Sequence, residues 1–265
     1  FEKTISKEQT FWKNFGFTLP LKDEVLQQLS GIIQDTCKGI FEYEYTPVLK
    51  KHFAGTGSKF SGRLKEASSI LPKLQRRIDD LEKCHSVSQI YSVVPDLCGF
   101  KLTTNGGSKE TEKIISKIND LIKLDRFKPT HIINRGKIPY INQKQLGELS
   151  NKGFYIIEPK GASNFNCSSV YFLDKKHGIP IELQIMGDKT DKINAKEHIF
   201  YNYKTKGGAT EHGTINEKFQ KALDLMTNDE INQYQKYIDD CYSFARAQEL
   251  NLKSTKPVLP YGFDK

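Results

Sequence analysis

The sequence predicts an α+β fold, and three observations carry that expectation. Over residues 179–186, Ile181, Leu183 and Ile185 alternate with Glu182 and Gln184, the period of two that gives a strand one apolar and one polar face. Two other segments space their apolar residues at helical intervals: Val25, Leu26, Leu29, Ile32, Ile33 and Ile40 in one, and Ile114, Ile115, Ile118, Leu121 and Ile122 in the other. The run 91–104 is apolar and β-branched, as in a buried strand.

At 265 residues the chain is long enough to bury a core of its own. Its mean hydropathy of −0.56 is that of a polar, soluble chain, and no apolar run approaches the length needed to span a bilayer, so no membrane association is expected. The first fifteen residues lack the apolar centre of a signal peptide. A start at Phe1 rather than Met suggests a processed or excised piece of something longer. The net charge of +8 and a pI near 9.0 suit a polyanionic partner, nucleic acid or nucleotide phosphates, but taken alone a lysine-rich solubilising surface is the favoured reading. Cys37, Cys84, Cys98, Cys167 and Cys241 are scattered without C-x-x-C spacing, which suggests neither a disulfide framework nor a zinc site and fits a reducing compartment.

Taken in order, residues 1–50 read as a helical extension closed by Pro47, with Phe11, Trp12, Phe15 and Phe17 as packing residues or a partner surface. The glycine-rich turn 54–62 lacks the spacing of a Walker loop. If residues 60–65 form a strand, Arg63 and Lys65 point the same way; Ser68 or Ser69 then caps a helix carrying Pro72 in its first turn, with Lys73 close by. Two cations beside a helix N-terminus suit a polyphosphate, and a surface strand followed by a basic helix is the plainer reading. Asp96 sits at the mouth of the next strand, where Gly99 lets another group approach the backbone and Lys101 follows. Segments 129–137 and 152–161 read as further strands, 163–169 as a polar loop with Phe165, and 167–178 as the first arm and turn of a hairpin completed by 179–186. Residues 191–208 read as a helix with Glu197, His198, Tyr201, Tyr203, Lys204 and Lys206; 219–250 as a helical region; and 253–265 as a tail. The domain reading is an N-terminal helical extension over 1–50, a catalytic core over 51–206, and a C-terminal helical extension with its tail over 207–265.

The order of five short motifs resembles the RelA/SpoT-type alarmone synthetase domain: G-R-L-K-E-A-S-S-I-L-P-K (62–73), D-L-C-G-F-K (96–101), the aromatic polar loop (163–169), I-E-L-Q-I (181–185) and E-H-x-x-Y (197–201). The resemblance implies a mixed β-sheet flanked by helices, related to the nucleotidyltransferases, and an ATP-dependent pyrophosphokinase that moves pyrophosphate to a nucleotide 3′-hydroxyl. By the same resemblance, Arg63, Lys65, Ser69, Lys73 and Lys101 bind ATP; Asp96 binds Mg²⁺, and Glu182 is its partner, bound to the metal or assisting removal of the hydroxyl proton, with the choice of base between the two carboxylates left open. Phe165, Gln184, His198, Tyr201 and Lys204 take the acceptor nucleotide.

Several positions depart from the family. Its guanine-using members carry G-Y-x-S-x-H where this chain has Asn164-Phe165-Asn166-Cys167-Ser168-Ser169, and arginine where Lys101 and Met186 stand. Lysine lacks the planar fork of arginine, so contacts there must differ. The altered loop resembles the toxic branch of the family, some of whose members make adenosine alarmones while others modify the tRNA 3′ end. The expectations that follow are an adenine nucleotide as acceptor, action in a target cytoplasm, delivery as part of a larger secreted or phage-associated protein, and a cognate immunity or antitoxin protein. GDP or GTP and tRNA are the alternative acceptors, and an inactive basic nucleic-acid-binding module is the alternative of another class.

Overall fold

The computed structural model describes residues 6–136, 138–159, 166–194, 197 and 225–260. In chain order the elements are α1 (Lys7–Asn14), α2 (Asp23–Ile40), a π-helical turn (Phe41–Tyr45), α3 (Thr46–His52), β1 (Lys59–Leu64), α4 (Ala67–Arg76), α5 (Ile78–Glu82) and α6 (Val87–Ser92). They continue as β2 (Cys98–Thr104), α7 (Ser108–Lys123), β3 (Phe127–Arg135), α8 (Gln143–Ser150), β4 (Tyr155–Ile157), β5 (Cys167–Asp174), β6 (Ile179–Gly187) and α9 (Asn228–Glu249). The strands form one mixed sheet in the order β1-β2-β6-β5-β3-β4, with β2–β6 and β3–β4 parallel and the other pairs antiparallel. The expected α+β class with a mixed, helix-flanked sheet is therefore what the chain adopts. Among the described residues no helix is long and apolar enough to cross a membrane.

Alternation sorts the two faces of the sheet. Phe100 and Leu102 of β2, Val170 and Phe172 of β5, and Ile181, Leu183 and Ile185 of β6 are all buried in one core. The N-terminal helices share it through Leu26, Leu29, Ile33, Phe41, Tyr45 and Leu49. Phe100 is sandwiched between Phe41 and Phe60, at ring centroid separations of 5.1 and 5.5 Å. Gly62, paired with Phe100, makes room for this stack: a Cβ there would lie 2.7 Å from the Phe100 ring. At the far end of the hairpin the fully buried Asp174 accepts from Tyr45 Oη at 2.7 Å and Arg126 Nε at 3.0 Å, so its charge is compensated on both sides.

Several local expectations are corrected. Pro47 does not close the N-terminal helices; it stands in the first turn of α3, where its missing N–H costs nothing. Neither Ser68 nor Ser69 caps α4. The Lys65 N–H bonds to Leu97 O at 2.9 Å, the chain turns there, and the helix begins at Ala67 with Glu66 as N-cap. Ser69 is thereby inside the helix and buried, and Pro72 falls in the second turn rather than the first. Tyr91 belongs to α6, capped by Ser86 through Gln89 N–H, and the strand begins only at Cys98. Helix α8 was not anticipated, although Asn142 and Gln145 form a capping box with Leu146 and Leu149 buried behind it. Trp12 is a packing residue, fully buried with its indole N–H on Glu82 O at 3.3 Å.

Gly62→Ala should cost about 1–3 kcal/mol by forcing the Phe100 ring aside, read as a lower urea midpoint with an unchanged m-value. A second expectation concerns pH. Hydrogen bonds from Lys176, His177 and Arg126 hold the Glu44 carboxyl at about 2, below its ordinary 4.5. A depressed folded-state pKa contributes stability that is complete above 4.5 and lost as the pH falls toward 2. The stability gap between wild type and Glu44→Gln, followed by urea unfolding, should close across that window; a gap independent of pH would show that the cluster contributes through packing alone.

Candidate active site

The face of the sheet opposite the core carries the polar side chains. Pairing in register sets Arg63 (β1) beside Gly99 (β2), Gly99 beside Glu182 (β6), and Glu182 beside Tyr171 (β5), one row across four strands. The row continues onto β3, where an irregularity between Pro129 and Ile132 lets the His131 ring stack on Tyr171, centroids 4.2 Å apart. Gly99 is the gap in this row. A Cβ there would meet only the Arg63 side chain and backbone at 3.8 Å, so the floor between Arg63 and Glu182 is kept low by the absence of a side chain. One step along the strands, Lys101, Gln184 and Ser169 form a second row on the same face.

Glu182 is 7% exposed, and Tyr171 Oη donates to its Oε1 at 2.7 Å. Burial, then the Glu182 charge, raises the Tyr171 phenol above its ordinary value, so it stays protonated and keeps donating. Asp96 lies between α6 and β2, where Lys73 donates to its Oδ2 and Lys65 Nζ stands 3.3 Å from the same atom. Burial pushes the Asp96 carboxyl up, but the two ammonium groups outweigh it and hold the group below the usual carboxylate range. Lys73 is displaced downward, mainly by burial, against the attraction of Asp96 and Glu182. Each carboxylate reaches the other's partner electrostatically: Glu182 raises the Lys73 ammonium, the partner of Asp96, and Asp96 raises the Tyr171 phenol, the partner of Glu182.

Among the described residues, Asp96 Oδ1 is buried without a hydrogen-bond partner. A buried carboxylate oxygen left without a hydrogen-bond partner fits a hard divalent cation, which prefers oxygen ligands and retains some of its waters. No group of three or more His, Cys, Asp or Glu side chains that could hold a metal gathers among the described residues.

The sheet and α4 bring together Arg63, Lys65, Lys73, Asp96 and Glu182, with Lys101 and Gln184 in the next row. Lys101 is paired with Asp191 at 2.7 Å. Ser69 is buried within α4, four residues beyond Lys65 in the chain. Phe165, His198, Tyr201 and Lys204 lie outside the described residues. Ser169 is fully buried and accepts from Arg135 Nη1 at 3.3 Å. Tyr171, His131, Arg135 and Asp191 were missed from the sequence. The register of the hairpin, counted back from the turn 175–178, places Tyr171 opposite Glu182 and was the one signal available; the stacking of His131 depends on an irregularity that no sequence pattern announces.

Comparison with protein-family models gives no match for this chain. Comparison with curated proteins gives none either. Among solved structures, the chain is similar to small alarmone synthetase 1 of Bacillus subtilis bound to its product pppGpp, at 18% identity over 89% of this chain and 97% of that one, with a TM-score of 0.36. It is similar also to a GTP pyrophosphokinase family protein of Streptococcus pneumoniae, at 16% identity over 92% and 98% of the two chains and a TM-score of 0.37. The Bacillus subtilis synthetase bound to AMPCPP is a further neighbour, at 16% identity, 89% and 96% coverage and a TM-score of 0.32.

Proposed function

We propose that the protein is a nucleotide pyrophosphokinase that transfers the β,γ-pyrophosphate of ATP to the 3′-hydroxyl of an adenine nucleotide. One observation carries this reading: two carboxylates and three cations, from segments far apart in the chain, converge on the polar face of one sheet. Asp96 and Glu182 both attract the Lys73 ammonium, beside the exposed Arg63.

In this reading the triphosphate of ATP lies along Arg63, Lys65 and Lys73, whose charges offset that building on the transferred group. Asp96, through its unpaired Oδ1, and Glu182 are the residues that would hold Mg²⁺, which when bound would supply positive charge against the phosphates. The acceptor 3′-oxygen bonds to the β-phosphorus as the bond from that phosphorus to the α,β-bridging oxygen breaks. AMP leaves with the electron pair. The hydroxyl proton passes to Glu182, whose Oε1 is already held by Tyr171, so that the carboxylate is fixed in place for the transfer. Phe165 stacks on the acceptor base, and His198, Tyr201 and Lys204 contact its phosphates. In a cell the reaction drains ATP, which makes the protein a toxin.

The altered acceptor loop supports adenine over guanine: Ser169 is buried and engaged by Arg135, leaving no histidine at that position. Incubation with ATP and Mg²⁺ in parallel with AMP, GDP or total tRNA, with products resolved by ion exchange, tests the reading. A 3′-pyrophosphorylated adenosine product is expected. GDP or tRNA turned over in its place would overturn the acceptor, and salt-dependent RNA binding without ATP turnover would overturn the enzyme altogether.

Asp96→Asn and Glu182→Gln should each lower turnover by at least about a hundredfold while circular dichroism stays native. Normal turnover in either variant would place the reacting centre elsewhere. Gly99→Ala should bind nucleotide normally, since its added methyl meets nothing closer than 3.8 Å. Gly99→Ile should fill the floor between Arg63 and Glu182 and cost about a hundredfold in kcat/KM with little change in Tm. Equal activity in the two glycine variants would show that substrate does not cross this row.

A further inference from the structure

The C-terminal helix α9 ends in a socket at the far end of the site strands. Glu249 is 7% exposed and Arg246 is 3% exposed. Glu249 Oε1 accepts from the Thr190 N–H at 3.0 Å, and its Oε2 accepts from Tyr140 Oη at 2.7 Å. Arg246 donates through Nη1 to Gly106 O at 3.0 Å and through Nε to Ile138 O at 2.9 Å, with its guanidinium 3.9 Å from the Tyr140 ring centroid. Two glycines clear the space. A Cβ on Gly187, the last residue of β6, would fall 2.0 Å from Glu249 Oε1, and one on Gly106 would fall 2.4 Å from Glu249 Cβ.

Thr190 belongs to the helical stretch 188–194 that leaves β6, and the next residue, Asp191, is the partner of Lys101 at 2.7 Å. Lys101 stands beside Gln184 on the polar face, one step from the row of Arg63 and Glu182. A flexible lysine stem has little directional preference of its own, so the position of its ammonium follows that of Asp191. Asp191 in turn is fixed by the seating of the stretch 188–194. The same helix α9 holds Asn166, at the start of β5, through Asn166 Nδ2 donating to Tyr242 O at 3.3 Å, and Glu197 through the Tyr242 hydroxyl.

We infer that Glu249 is a positioning residue for nucleotide binding: by seating Thr190 it sets Asp191, and through Asp191 the Lys101 ammonium, so that α9 is part of the working site rather than an appendage. The inference rests on the functional reading above only in taking Lys101 as a nucleotide contact. A purely structural Glu249 would lower stability and the active fraction, leaving affinity alone; a positioning residue changes affinity in the folded fraction.

The test is binding of the non-hydrolysable analogue AMPCPP with Mg²⁺, by titration calorimetry on the full chain, for wild type, Glu249→Gln, Asp191→Ala and the double variant. Glu249→Gln keeps shape and an acceptor oxygen but not the charge, which favours a folded protein; a melting curve checks this. The expected result is affinity about tenfold weaker in each single variant and no further loss in the double, since both act on Lys101. Hydrogen exchange of the 188–194 amides should rise in Glu249→Gln and stay at the wild-type rate in Asp191→Ala. Wild-type affinity in Glu249→Gln, or additive losses in the double variant, overturns the inference and leaves the functional reading intact. Absence of binding by wild type, with 188–194 exchange unchanged in Glu249→Gln, overturns both.

Discussion

The parallel pairing of β2 with β6, which sets Gly99 against Glu182, is the constraint on which the candidate site depends. Glu182 is a carboxylate on a strand with neighbours on both sides, and burying it is costly unless partners surround it. Tyr171 supplies a hydrogen bond from the next strand and Lys73 an attractive charge from α4. Gly99, by carrying no side chain, leaves the opposite flank open to whatever approaches from Arg63. A slip of one residue in β6 would turn Glu182 into the core and bring Leu183 onto the polar face, at a cost no partner could offset. The register and the site are therefore one feature.

Rigidity comes from the opposite face. The stacked rings of Phe41, Phe100 and Phe60 fasten the N-terminal helices to β1 and β2, and Asp174 ties Tyr45 and Arg126 to the end of the hairpin. The ring stack lies on the core face of the strands that carry the polar rows, so those strands are held from behind. The cations differ in kind from the carboxylates. Lys65 and Lys73 are paired with Asp96, and Lys101 with Asp191, so any anion approaching them must compete with these pairs rather than meet bare charge. That competition favours a ligand carrying several negative charges together.

Much of the layout was legible from local pattern. The alternation of Ile181, Leu183 and Ile185 with Glu182 and Gln184 identified both the strand and its polar face, because a period of two has a single geometric reading. Helices α2 and α7 were legible for the corresponding reason. Errors fell where one residue type serves two roles. Proline ends a helix or occupies its first turn, and Pro47 takes the second option. A serine followed by apolar residues marks a cap or lies inside a turn, and Ser69 is inside because the chain leaves β1 at Lys65. Helix α8 had its capping box on view at Asn142 and Gln145 but sits in a segment with little apolar periodicity.

The sequence by itself determined which side chains share a strand face and which segments are helices, since these follow from repeats a few residues long. It also placed Asp96 and Glu182 as candidates, by the order of short motifs. That the two act on one another's partners, that Tyr171 holds Glu182, that His131 covers Tyr171 and that Glu249 reaches back to the end of β6 were decided only by tertiary structure. Each of these contacts joins elements whose relative placement depends on strand order and on one local irregularity in β3. Such placement is a property of the whole core, and no window of sequence contains it.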